Sequence, residues 1–208
     1  MATTTSSPPI NVAEWRSQFA YPRGWLGSFV GHVMAIKSRE RSLWVLSQLH
    51  LQPDDRVLEI GFGPGVDIQR VSANVSYVAG IDHSAVMVRQ AQQRNRAAIN
   101  AGKVVLQQAS MAEQLPFPNG SFTKIFSINS YQFWPDPEAS LRELCRLLQP
   151  DGLIAIAVQP RGKGVTDEDT RRAEEQLREQ ILAAGFSGVQ AATKAMKPAA
   201  VMCVMGQK

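Results

Sequence analysis

Cysteine is scarce in this 208-residue chain: there are only Cys145 and Cys203, far apart and each within an apolar pattern. Neither belongs to a C-x-x-C or Cys/His cluster, which excludes a disulfide framework and leaves no metal site to expect. Buried structural thiols in a reducing compartment are the expectation. Long apolar runs are missing too. None approaches the roughly 20 residues that a bilayer span needs, so no membrane span is expected. Residues 1–9 are rich in Ser, Thr and Pro but lack both a basic n-region and an apolar h-region. They read as a disordered tail on a cytoplasmic protein rather than a secretory signal. Runs of positive charge are absent as well. The net charge of +4 is scattered as on solvated faces, which disfavours a nucleic-acid partner.

What is present is an ordinary globular composition, 44% hydrophobic and 19% charged, with room for one domain and little for a second. The chain is organised around Arg56-Val57-Leu58-Glu59-Ile60-Gly61-Phe62-Gly63-Pro64-Gly65-Val66. A short apolar run, too brief for a helix, stops in three alternate glycines and then feeds a helical pattern. Glycines there let the backbone take φ > 0 and bring its N–H groups close to a ligand at a helix N-terminus. The third glycine, Gly65, comes one residue too early for the dinucleotide fingerprint G-x-G-x-x-G. Asp82 closes the next apolar run, Tyr77 to Ile81, about 20 residues on, where a carboxylate would meet a ribose diol.

Residues 10–50 read as helical. Trp25, Leu26, Phe29, Val30, Val33 and Met34 form one apolar stripe, and Leu43, Trp44, Leu46 and Leu49 continue it. Beyond Asp82 the pattern alternates strand and helix, as in a parallel sheet covered on both faces. Expected in turn are a helix from about Ala85 to Ala101, a strand over Lys103 to Gln107, a turn-rich stretch over Ala112 to Phe122 and a strand over Lys124 to Ile128. A helix opening at Asp136-Pro137 follows and ends at Gln149-Pro150-Asp151-Gly152, before a fully apolar strand over Leu153 to Val158. A helix from about Thr166 to Ala184 precedes two strands, Val189 to Thr193 and Val201 to Met205, which read as a closing hairpin.

Four motifs in order, V-L-E-I-G-F-G-P-G, G-I-D, L-P-F-P-N-G-S-F and D-P-E-A-S-L-R-E-L-C-R-L-L-Q-P-D-G, make residues 56–158 resemble the class I S-adenosylmethionine (SAM) dependent methyltransferases of the small-molecule group called type 11. The resemblance implies a Rossmann-like, seven-stranded, mostly parallel sheet with helices on both faces and an antiparallel C-terminal hairpin strand. It implies a SAM-binding core over 51–208 and a helical cap over 10–50 that helps to roof the substrate, within a single methyltransferase domain spanning 10–208; plain packing of those helices on the sheet is the alternative. It implies that Gly61, Phe62, Gly63 and Gly65 cradle the methionyl end of SAM, with Glu59 organising the turn. Asp82 would hold both ribose hydroxyls, with His83 and Met87 near the adenine ring. Asn129 and Ser130 would sit by the methionyl moiety. Where the family usually has an Asp reading the adenine amino group, this chain has Met111, so backbone groups of Met111 and Ala112 would have to serve. Thr123 replaces another usual Asp and reads as structural.

Asn129-Ser130-Tyr131-Gln132-Phe133-Trp134 lacks the Pro-Pro that base-flipping amine methyltransferases carry at this strand end, and two cysteines are too few for arsenic methylation. The aromatic trio suits a small apolar or aromatic metabolite, methylated on O, N, S or C. If a base is needed, His32 in the presumed roof and Tyr131 at the strand end are the candidates. A monomer or homodimer is expected. A methyltransferase-like SAM-binding regulatory or interaction protein without catalysis is the rival reading. A nicotinamide-dependent dehydrogenase is a weaker one, disfavoured by the early Gly65 and the terminal hairpin.

Overall fold

In a computed structural model the chain is described over residues 39–162 and 164–208. Most of the expected cap, including His32 and the stripe from Trp25 to Met34, therefore lies outside the described residues. Seven strands form one sheet: β1 (Arg56–Ile60), β2 (Tyr77–Asp82), β3 (Val104–Gln108), β4 (Phe122–Ile128), β5 (Leu148–Val158), β6 (Ser187–Lys194) and β7 (Val201–Gln207). Their order is β3-β2-β1-β4-β5-β7-β6. The first five run parallel, and β7 lies antiparallel between β5 and β6. The expected seven-stranded, mostly parallel sheet with a C-terminal hairpin is what the chain builds.

The helices are α1 (Val66–Ser72), α2 (Ala85–Arg94), α3 (Arg96–Asn100), α4 (Pro137–Leu147) and α5 (Asp167–Ala183), and residues 39–48 are helical ahead of β1. They cover both faces because neighbouring strand residues point opposite ways. Leu58, Ala79 and Ile154 pack with Leu141, Leu144, Leu177 and Ile181 of α4 and α5. Val57, Val78 and Ala155 pack with Ile68, Ala91, Val45 and Leu49 on the other face. Fully burying one such aliphatic side chain contributes about 1.5–3 kcal/mol. That is why these strands read as unbroken apolar runs.

Four expectations need correction. The helix from Ala85 breaks at Asn95, whose Nδ2 donates to Ala91 O at 2.9 Å and to Gly65 O at 3.0 Å. The side chain competes with the helix ladder and ties the break to the glycine turn. Gln149 to Gly152 do not separate α4 from β5 but form an irregularity within the strand, with Asp151 at φ 62° and a register shift opposite Phe122/Lys124. Over residues 39–49 the inner face carries Arg41, Ser42, Val45 and Leu49, whereas Leu43 is exposed. Cys203 is buried as expected, but Cys145 is only half-buried.

The strand order reverses at β1, between β2 and β4. In open α/β sheets ligands bind at such a point, outside the carboxyl ends of the strands. Register brings those ends level: Ile60 pairs with Ile81 on one side and Ser127 on the other. Thr123 works at the opposite end of the sheet. It donates to Asp55 Oδ1 at 2.7 Å beside the Lys124–Asp55 ion pair, the structural role expected of it.

Candidate active site

The glycine turn is left-handed at Gly61 (φ 75°), Gly63 (φ 53°) and Gly65 (φ 72°). Two of these glycines also carry close approaches. A Cβ on Gly61 would lie 2.3 Å from Ser130 Oγ, and one on Gly65 only 2.6 Å from Ala91 Cβ and 2.9 Å from its Cα. The early third glycine is thus where α2 crosses the turn, and nothing larger fits. Gly63, by contrast, has open space around its missing side chain.

Asp82, only 6% exposed, holds this turn from β2. Its Oδ2 accepts the Gly63 N–H at 2.9 Å and its Oδ1 accepts the Ser84 N–H at 2.9 Å. Each oxygen keeps a further lone pair for a ligand. Beneath the turn Glu59 is 3% exposed and its Oε2 has no partner among the described residues. Burial first, and then the charges of Asp67 and Asp82, push its carboxyl well above the usual carboxylate range.

A cavity of about 370 Å³ opens at the strand ends. Of the residues singled out from sequence, Gly61, Asp82, His83, Met111 and Ser130 line it. Trp134, also in its wall, donates Nε1 to Ser130 Oγ at 3.2 Å and packs edge-on against Tyr131, ring centroids 5.3 Å apart. The cavity also takes in Ile60, Ile81, Ala109, Ser110, Phe133 and Pro135. Of these, only Phe133 had been singled out, within the aromatic trio. Ile60 and Ile81 were legible as the last strand residues before the turn and the acid; Ser110 was not marked by any pattern.

Other expected residues lie elsewhere. The Phe62 side chain is buried in the core instead of lining the cavity. Met87 is half-buried in the first turn of α2. Met111 O already accepts from Ser140 Oγ at 3.2 Å, and the Ala112 N–H already bonds Ser110 Oγ at 3.2 Å, so the backbone readout expected of this pair is partly engaged within the protein. Asn129 sits at φ 54° with Oδ1 accepting the Gln159 N–H at 2.8 Å, and its Nδ2 has no partner among the described residues. The Tyr131 hydroxyl is bonded to Gln180 Oε1 of α5, and burial pushes the phenol up to about 12. Both facts work against the base role expected of it.

A family model described as a methyltransferase domain matches residues 58–156. The uncharacterized methyltransferase YdaC of Bacillus subtilis (strain 168) is 31% identical over 180 residues, covering 86% of this chain and 97% of YdaC. The chain is a class I SAM-dependent methyltransferase of type 11. The methyltransferase is also 32% identical over 116 residues to the putative methyltransferase YrhH of the same bacterium, covering 55% of this chain and 63% of YrhH. In fold it is similar to a SAM-dependent methyltransferase from Aquifex aeolicus, with a TM-score of 0.64 at 21% identity over 80% of this chain and 88% of that one.

SAM is the donor of this family and the cofactor of this enzyme, and the residues present fit it. The turn has open space at Gly63, the Asp82 carboxylate lines the cavity, and two buried polar atoms, Glu59 Oε2 and Asn129 Nδ2, have no partners among the described residues. Among the described residues no group of three or more His, Cys, Asp or Glu could hold a metal ion. Among them, too, no helix is long and apolar enough to cross a membrane.

Proposed function

We propose that this methyltransferase methylates an O, N or S atom of a small acceptor with an apolar or aromatic body. The observation that carries the reading is the cavity's mixed lining, in which the polar Asp82, His83 and Ser110 occur together with the aromatic Phe133 and Trp134. Pockets of this kind place a few polar groups for orientation and leave the rest apolar.

In this reading Asp82 takes the ribose hydroxyls with its remaining lone pairs while its bonds to Gly63 and Ser84 keep it from turning. Gly61, Gly63 and Gly65 let the turn backbone approach the methionyl end, supported by Glu59 from below and by Ser130 and Asn129 from β4. His83 and Met87 flank the adenine, with Ser110 beside Met111 and Ala112. When bound, the donor supplies a methyl group already activated on a sulfonium. What remains for the protein is alignment, which supplies up to about 7–11 kcal/mol of barrier lowering. Trp134 and Phe133 would hold the acceptor face, and exclude water from it. His32 and residues 10–38, expected from the sequence to help roof the substrate, lie outside the described residues.

A screen with methyl-labelled SAM over small phenols, amines and thiols tests the reading. Label on a soluble small molecule is expected. Label confined to nucleic acid or protein added to the same reaction contradicts it.

A further inference from the structure

The methyl donor is a cation at its reactive sulfur, and the cavity offers that charge few partners. Among the described residues of the wall only Asp82 is a carboxylate. Its two oxygens accept the Gly63 and Ser84 N–H groups, and its remaining lone pairs go to the ribose diol in the reading above. Glu59 does not line the cavity, and burial keeps its carboxyl protonated well above the usual carboxylate range. A sulfonium moved out of water into such a place needs another group to replace its hydration. The negative face of an aromatic ring can do so.

Two rings stand in the wall, Phe133 and Trp134. Trp134 is the one that side-chain contacts tie to the glycine turn. Its Nε1 donates to Ser130 Oγ at 3.2 Å, and that same oxygen lies 2.3 Å from where a Cβ on Gly61 would be. One hydroxyl therefore spans from the indole to the first glycine of the turn. The indole also meets Tyr131 edge-on, with centroids 5.3 Å apart and planes at 66°, and the Tyr131 hydroxyl is bonded to Gln180 of α5. The Trp134 backbone N–H goes to Tyr131 O at 3.1 Å. Held at these points and only 7% exposed, the ring is fixed where it stands.

Asp82 marks the ribose end of the cavity and Gly61 the methionyl end. The sulfur joins ribose to the methionyl chain, so it falls between them, and Ser130 brings Trp134 to the Gly61 side. The transferred methyl belongs to donor and acceptor in turn, so a ring beside the acceptor is beside the sulfonium too. We infer that the Trp134 indole binds the sulfonium through a cation–π contact, positioned by Ser130 and Tyr131, and so makes the enzyme favour the charged donor over its neutral product. The inference rests on the donor assignment above. In the transfer the methyl bonds to the acceptor, the electron pair of the broken S–C bond stays on sulfur, and S-adenosylhomocysteine is left uncharged there. The ring then loses its partner, which eases product release.

Calorimetry on the full chain, Trp134→Phe and Trp134→Leu tests this with three nucleosides. They are SAM, sinefungin, which carries an ammonium in place of the methylsulfonium, and S-adenosylhomocysteine. The readout is the affinity of each cation relative to S-adenosylhomocysteine, because lost packing weakens all three alike. Trp134→Leu should lower both ratios by about 5- to 30-fold, and Trp134→Phe by less, since Trp is the strongest of these rings. Trp134 is also part of the core, so a second measurement keeps its shape. The full chain is prepared with 5-fluorotryptophan and with 5,6,7-trifluorotryptophan, which drain charge from the ring face. Both ratios should fall stepwise with fluorine in the unaltered sequence and stay level in Trp134→Phe, where only the other tryptophans carry it. Ratios that fluorine leaves unmoved overturn the inference, even if all three affinities drop together. So does a fluorine effect that persists in Trp134→Phe. An unaltered chain that binds none of the three nucleosides brings down the donor assignment itself, a result distinct from an unmoved ratio.

Discussion

Replacing Gly65 by alanine should damage the protein far more than replacing Gly63, although both glycines are left-handed. At Gly63 the new Cβ meets nothing within 4 Å, so the cost is the backbone conformation alone, about 1–2 kcal/mol. At Gly65 the Cβ meets α2, 2.6 Å from Ala91 Cβ, 2.8 Å from Asn95 Nδ2 and 2.9 Å from Ala91 Cα. A helix backbone cannot swing aside as a side-chain tip can, so overpacking adds about 1–3 kcal/mol. It also strains the bond from Asn95 to Gly65 O. With a urea slope near 2 kcal/mol/M, the midpoint should fall by about 0.5–1 M for Gly63→Ala and by about 1–2.5 M for Gly65→Ala. Urea unfolding followed by tryptophan fluorescence measures both, and an unchanged slope shows that the comparison is fair. Equal losses for the two variants, or a Gly65→Ala midpoint within 0.3 M of the parent, would refute the claim that the third glycine is set by the crossing of α2.

Three further outcomes follow from particular side chains. Since burial raises the Glu59 carboxyl, the folded state binds its proton more tightly than the unfolded chain, so stability is lost as pH rises from the ordinary carboxylate range towards the raised value. Glu59→Gln removes that slope, and should be at least as stable as the parent at pH 8 when urea midpoints are compared from pH 5 to 8; a steeper loss in the variant speaks against it. Tyr131→Phe should leave SAM affinity within about twofold and cost about 1 kcal/mol of stability, because its hydroxyl is bonded to Gln180; calorimetry showing a tenfold weaker SAM would contradict this. Iodoacetamide at pH 8 should label Cys145 and spare Cys203, which is buried and pushed up to about 12, until urea is added; peptide mass spectrometry that finds Cys203 labelled in the folded protein counts against the fold.

The parts of this molecule that sequence revealed are those where one physical demand dominates. Strands buried on both faces must be apolar throughout, as at Leu58 and Ala79, and a turn that brushes a helix must be glycine, as at Gly65. The parts it hid are settled by long-range polar contacts. Asn95 looks like any helix residue until it reaches back to Gly65. Arg41 and Ser42 look like a solvated face until Gln159 and Asp67, distant in sequence, draw them inward. Ser110 enters the cavity wall through the path of its loop, which Ser140 and Glu143 of α4 hold at Met111 O and the Leu115 N–H. Phe62 sits within the glycine motif, yet points into the core, a direction that spacing alone does not disclose.

The central assignment stands on the Asp82 carboxylate at the turn. Calorimetric titration of S-adenosylhomocysteine, SAM and NAD into the full chain and into Asp82→Ala tests it most directly. The first two should bind the unaltered chain and NAD should not. Asp82→Ala should weaken both roughly ten- to a hundredfold, the loss of a charge-assisted contact of about 1.5–3 kcal/mol. Equal affinity in the variant, or binding of NAD in place of the sulfonium donor, would contradict the account.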